Sequence, residues 1–413
     1  MGKPTKPRNN IVELFRFIYS LLVLGYHVQF SYSDDKVDPF ENGALAVEFY
    51  FLLSGYFLAR SLEKISKDQK TNIIKKVYLF MKNKVNALLN VHILSIIVVT
   101  LIILIFDTKK FGKIFLKGIP SIFLVHMIVF WSDNFNNALI IPEWYLSSML
   151  ISMLFMVPIY LLLNKKFKGI IITIFLVGIL ALITIIIGFA SSWKLKENFV
   201  YDLRAWGEMC VGMFSYYLSL YVKNKNYEEK MLIFFKILEL LGYGLPVILG
   251  IAPISLDFQG ILMAITVICE FCSVFITFSE KGNIIQNQKI NNAFGFLGTI
   301  SLPIYLFHPV IITFIDYIKD DLPRWAKYIV VFPFTIILSI FYRIIDNCLN
   351  EKEKEKEKEK EKVKENENIK ENEIEKENKN IKENENLGQN EKLIENENEE
   401  GNVVISENNE LKS

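Results

Sequence analysis

Ten stretches of about twenty apolar residues, separated by short basic loops, constrain this chain more than any other feature. Each is long enough to cross a bilayer as a helix. They are Ile11–Ser31, Gly43–Leu62, Lys84–Phe106, Trp144–Leu163, Gly169–Phe189, Arg204–Val222, Met231–Ile251, Asp257–Ser279, Phe296–Asp316 and Trp325–Asn347. An eleventh stretch, Phe111–Trp131, is interrupted by Gly118 and Pro120 and carries His126. The expected fold class is therefore all-α: a polytopic transmembrane helix bundle of about ten spans plus one re-entrant or interfacial segment. That composition excludes a secreted disulfide scaffold and argues against nucleic-acid binding.

Loop charge orients the bundle. Lys3, Lys6 and Arg8 precede the first span, and the loop from Arg60 to Lys84 is basic, so both are expected in the cytoplasm. Lys165, Lys166, Lys168, Lys223 and Lys225 then fall on the same side. Both termini are read as cytoplasmic, which requires an even number of crossings and makes Phe111–Trp131 the re-entrant element. The cost is that Lys109, Lys110, Lys113 and Lys117 lie outside. The plasma (inner) membrane is the expected location.

The near-neutral total, 46 Lys and Arg against 45 Asp and Glu, conceals a split. From Glu351 onward there are 21 Glu and 13 Lys, a net of −8, and ENEN recurs at 365–368, 383–386 and 395–398. Such a segment cannot bury a core. The division expected is a transmembrane domain over residues 1–349 and a disordered or transiently helical cytoplasmic tail over 350–413. The four cysteines read as small packing residues; Cys269-x-x-Cys272 has no second ligand pair nearby, and no His/Asp/Glu cluster has metal-ligand spacing.

Ionisable groups inside spans are costly and by default mark function or pairing. In the first span these are Glu13, Arg16 and His27. Eleven residues is close to three helical turns, so Arg16 and His27 share a face, roughly 16 Å apart along the axis. A guanidinium suited to phosphate at one end and an imidazole at the other fit a long phosphorylated donor. The bland alternative is a snorkelling arginine and a packing histidine. Glu48 begins the second span at the depth expected for His27. A His27–Glu48 pair is a candidate general base, the carboxylate fixing one imidazole tautomer.

ELFRFIYSLLVLGYH (Glu13–His27), GALAVEFYFLLSGYFLARS (Gly43–Ser61) and GTISLPIYLFHP (Gly298–Pro309) together resemble the acyltransferase-3 family of integral-membrane acyltransferases. The resemblance runs from Ile11 to about Asn347. It implies transfer of an acyl group, usually acetyl, from cytoplasmic acyl-coenzyme A to an exported glycan or similar acceptor, with Arg16 and His27 as the essential pair. Two departures stand out. Glu48 replaces the usual Asp, and in EWYLSSML Met149 occupies an acidic position while Trp144 and Leu146 are kept.

The expected catalytic residues are His27 and Glu48. The expected substrate contacts are Arg16, His308, Arg204, Arg343 and Trp144. His308 is either a substrate contact or a structural hydrogen bonder; Arg204 either meets an acceptor or caps the bundle; Arg343, at the depth of Arg16, is a second phosphate ligand. His92 and His126 read as packing residues, and Glu208, Glu239 and Glu270 as interhelical partners. No permanently bound cofactor is expected: acyl-coenzyme A, most simply acetyl-coenzyme A, is the donor substrate. The partners are a carbohydrate acceptor and the lipid bilayer. A transporter or flippase for a glycan or lipid-linked intermediate would also bury charge in ten spans, but no internal repeat supports it.

Overall fold

A computed structural model describes residues 10–30, 39–107, 139–140, 142–163, 197–255, 258–282, 288–319 and 321–353, with scattered positions from 109 to 124, 178 to 186 and 355 to 376. No strand occurs among them. The long helices are α1 (Asn10–Phe30), α2 (Ala46–Ser66), α3 (Ile73–Phe106), α4 (Glu143–Leu163), α5 (Glu197–Lys223), α6 (Glu229–Ile251), α7 (Gln259–Ser279), α8 (Gln288–Ile318) and α9 (Arg324–Glu353). All but α5 are long and apolar enough to cross a membrane; α5 carries Asp202, Arg204 and Glu208. The protein is an all-α integral membrane protein.

The expected fifth span lies mostly outside the described residues, and those described there (178–180, 182–183 and 186) are helical. Helix α3 begins eleven residues before the expected start at Lys84. The Asn72 side chain accepts from the Ile74 N–H at 3.1 Å and caps it. The chain divides into two compact units, residues 1–343 and 344–413. In the second, the described positions between 355 and 376 are helical and exposed.

Between Phe106 and Glu143, Ser121 and Leu124 are buried while Ile122 and Phe123 are exposed. Ser121 is buried and its carbonyl oxygen accepts from His92 Nε2 at 2.9 Å. His92 lies fourteen residues before the end of α3, about 21 Å along its axis. Most of Phe111–Trp131, His126 included, lies outside the described residues.

Small residues decide which helices touch. A Cβ on Gly55 of α2 would strike the Met209 carbonyl of α5, and one on Gly212 would strike the Leu52 carbonyl. With no hydrophobic drive between helices in lipid, such backbone approach supplies the packing.

Two neighbours of α1 fix the depth scale. Helix α2 runs antiparallel to it. Gly43, in the 3-10 turn that leads into α2, sits on the Leu22 carbonyl and Tyr26. Phe49 packs on Tyr19 with ring centroids 4.6 Å apart, and the Tyr50 hydroxyl donates to the Arg16 carbonyl. Helix α8 runs parallel to α1, with Gly298 beside Glu13 and His308 beside His27.

Candidate active site

Arg16 projects from α1 beside Glu13, its Nη1 donating to Glu13 Oε2 at 3.0 Å. Glu13 is buried, whereas the Arg16 side chain keeps 30% of its exposure, so the guanidinium is held yet reachable. Space for the Glu13 carboxylate exists because position 298 is glycine; a Cβ there would collide with it. Lys84 of α3, lying 5.9 Å from the Phe80 ring centre, is near enough to Arg16 for their charges to interact. Sequence reading used Lys84 only as a span boundary.

Eleven residues along α1, the half-buried His27 ring lies against His308, with centroids 5.1 Å apart and planes at 30°. His308 is fully buried. Its Nδ1 is 3.1 Å from the Ile304 carbonyl oxygen. A carbonyl only accepts, so Nδ1 carries the proton and Nε2 presents a lone pair. Nε2 is buried without a hydrogen-bond partner. Pro309, the next residue, has no N–H, so the Tyr305 carbonyl four residues back lacks its helical donor. Tyr305, one turn back, packs 6.0 Å from the His308 ring and donates to the Pro142 carbonyl at 2.6 Å.

The expected Glu48–His27 pair does not form. Both oxygens of Glu48 are taken by Arg204 of α5: Nε donates to Oε2 at 3.0 Å and Nη2 to Oε1. The reason is depth. Gly43 already lies level with Leu22 to Tyr26, and α2 descends from there, so Glu48 comes level with Tyr19. His27 is eight residues further along α1, about 12 Å away in rise. Arg204 also donates to Glu208 Oε1 at 3.3 Å and lies 5.6 Å from the Trp144 ring centre. Arg204, Trp144 and Glu48 are thus brought together as a buried knot, while His27 and His308 form a second group. Among the other expected partners, Glu208 pairs within its own helix, Glu239 accepts from Thr277 across α6 and α7, and Glu270 is buried with neither oxygen hydrogen-bonded.

The Tyr328 hydroxyl of α9 donates to the Gly25 carbonyl at 3.3 Å. Further along α9, Arg343 directly follows Tyr342, whose ring packs on Phe307 of α8, the residue before His308, with centroids 5.6 Å apart.

Sequence reading missed one buried pair. His92 Nδ1 lies 3.6 Å from Glu143 Oε1, and both side chains are fully buried. Because His92 Nε2 donates to the Ser121 carbonyl, Nδ1 is the nitrogen that faces the carboxyl group. A glutamate directly after Pro142 reads in sequence as a solvated first-turn residue, which conceals its partner 51 positions earlier.

A family model described as an acyltransferase domain matches residues 9–344. No curated protein and no solved structure matches the chain. The matched region holds α1 through α8, both imidazoles, Arg16 and the Arg204 knot, so the likeness covers the whole bundle and its polar interior. The chain belongs to the acyltransferase-3 family of membrane acyltransferases.

Proposed function

We propose that the protein moves an acyl group, most simply acetyl, from cytoplasmic acyl-coenzyme A to a hydroxyl of a cell-surface or exported glycan. The observation that carries this reading is the separation along α1 of a reachable guanidinium and an imidazole pair. Arg16 takes the donor phosphates. The thioester then reaches His27, roughly 16 Å further into the bundle.

His27 removes the proton from the acceptor hydroxyl. The oxygen bonds to the thioester carbonyl carbon, the C–S bond breaks, and the coenzyme A thiolate takes the proton back from His27. The imidazole returns to its starting state and no covalent enzyme intermediate is needed. His308, with its tautomer set by Ile304, offers Nε2 as a second acceptor for a substrate hydroxyl. Glu48 acts through Arg204 and Trp144, holding the α2–α5 contact beneath the imidazoles, and is a positioning residue in this reading.

The acceptor enters from the opposite face. Helix α8 continues ten residues past His308, about 15 Å, so the imidazoles lie well inside the bundle. The test is transfer in proteoliposomes of defined orientation, with labelled acetyl-coenzyme A on one side and the glycan on the other. Labelled glycan should form only when the donor faces the Arg16 end. Product that forms only with both substrates on the other face would contradict this arrangement.

A further inference from the structure

Two ionisable side chains, His92 of α3 and Glu143 of α4, are fully buried against each other, Nδ1 lying 3.6 Å from Oε1. Apolar residues of similar size would join two helices at no greater cost. What polar groups add is direction, and the contacts around this pair close into a ring. His92 Nε2 donates to the Ser121 carbonyl at 2.9 Å. The Ser121 hydroxyl oxygen accepts from the Leu139 N–H at 3.1 Å. The Glu143 N–H donates to the Ile140 carbonyl at 3.0 Å, and the Glu143 side chain returns to His92.

That ring grips α8 on both sides of His308. On one side, the Tyr305 hydroxyl donates at 2.6 Å to the carbonyl of Pro142, the residue before Glu143. On the other, Val310 is buried in a cluster with Ile140, Ile96 and Val99. Tyr305 stands one turn before His308 on the same face, and its ring meets the imidazole edge-on at 74° with centroids 6.0 Å apart. The bond from His308 Nδ1 to the Ile304 carbonyl lies within α8 and cannot fix that helix against its neighbours. The Pro142 contact can.

We propose that His92 and Glu143 are positioning residues for acyl transfer. Through Ser121 and the Pro142 carbonyl they hold Tyr305, and Tyr305 holds the His308 ring with Nε2 toward the acceptor hydroxyl. The part played by the acceptor rests on the reading of His308 given above; the brace itself does not. Neither His92 nor Glu143 touches a substrate. Each acts by keeping the start of α4 at one place against α8.

The chain has four histidines, so nitrogen-15 spectra of histidine-labelled protein in lipid can be assigned ring by ring. No substrate is needed, which separates this measurement from the acyl-transfer reading. Wild type should give one sharp His308 Nε2 signal. Tyr305→Phe, which leaves the His92–Glu143 pair untouched, should broaden or split it, as should Glu143→Ala. Glu143→Gln, whose amide can donate to or accept from Nδ1, should restore it. A sharp, unshifted His308 signal in folded Tyr305→Phe protein overturns the proposal. Turnover of labelled acetyl-coenzyme A with glycerol as the hydroxyl probe reads the consequence. Tyr305→Phe should lose about ten- to a hundredfold, the scale of a misplacement of about 1 Å, but little further in the His308→Ala background. Equal losses in both backgrounds would overturn the positioning role. Altered spectra with wild-type turnover by His308→Ala would instead remove the His308 reading, and the role in transfer with it.

Discussion

His27 lies ring to ring with His308, 5.1 Å between centroids, and the carboxylate of Glu48 belongs to Arg204. The candidate base therefore borrows no negative charge from α2. It lies against an imidazole whose own tautomer is set by a backbone carbonyl. Two groups read from sequence as one unit are held apart, His27 with His308 and Glu48 with Arg204 between α2 and α5.

Replacing His308 distinguishes its two nitrogens. Asparagine places an amide near the Nδ1 position and can still donate to Ile304, but it offers nothing near Nε2. Glutamine reaches the Nε2 position. If Nε2 contacts the acceptor, His308→Gln should retain clearly more transfer than His308→Asn, with melting temperatures within a few degrees of each other. Equal losses would leave His308 with only its helix hydrogen bond.

The Arg204 knot predicts a coupling pattern. Removing one partner of a buried ion pair costs about 3–5 kcal/mol, because the other charge is stranded. Glu48→Gln should therefore destabilise strongly, and Glu48→Gln with Arg204→Gln should cost much less than the sum of the singles. By contrast, the effects of Glu48→Gln and His27→Ala on transfer should multiply. Thermal unfolding in detergent and initial rates read the two cycles; strong rate coupling of Glu48 with His27 would contradict the geometry.

Two helix glycines should behave oppositely. Gly212→Ala places a methyl group against the Leu52 carbonyl and should lower stability by at least about 1–3 kcal/mol, the usual range for overpacking. Gly244→Ala in α6 meets nothing within 4 Å. It should be neutral or stabilising by up to about 1 kcal/mol, the difference in helix propensity. Melting temperatures of the two variants in the same detergent check the contrast.

The legible and illegible parts of this protein divide along physical lines. The helices were readable because apolar length is a local property, and Arg16, His27 and His308 because charge or imidazole inside a span is conspicuous. The Glu48 assignment failed because depth was counted from span ends. The true register depends on where Gly43 docks against Leu22 and Tyr26, a contact that no local pattern encodes. Arg204 finds Glu48 across 156 residues and Glu143 finds His92 across 51. Such pairings are set by packing of several helices at once. The early start of α3 was hidden for a simpler reason: Lys75 and Lys76 broke the apolar run, while the Asn72 cap that starts the helix carries no hydrophobic signal.

The tail should be dispensable for chemistry. Ending the chain after Glu353, where α9 ends, removes only Glu/Lys/Asn-rich sequence whose described positions are exposed. The truncated protein should insert and transfer at a rate within about twofold of the full chain. A properly inserted truncation without turnover would give the tail a part in the reaction.

The most direct test of the account is the His27→Ala variant. Purified protein is reconstituted in lipid with labelled acetyl-coenzyme A and candidate glycans, and the glycans are read by mass spectrometry. General-base catalysis contributes about a hundred- to ten-thousandfold, so the account predicts a loss of that size in transfer, with coenzyme A binding retained. A folded His27→Ala protein that acylates its glycan at a near-normal rate would contradict it.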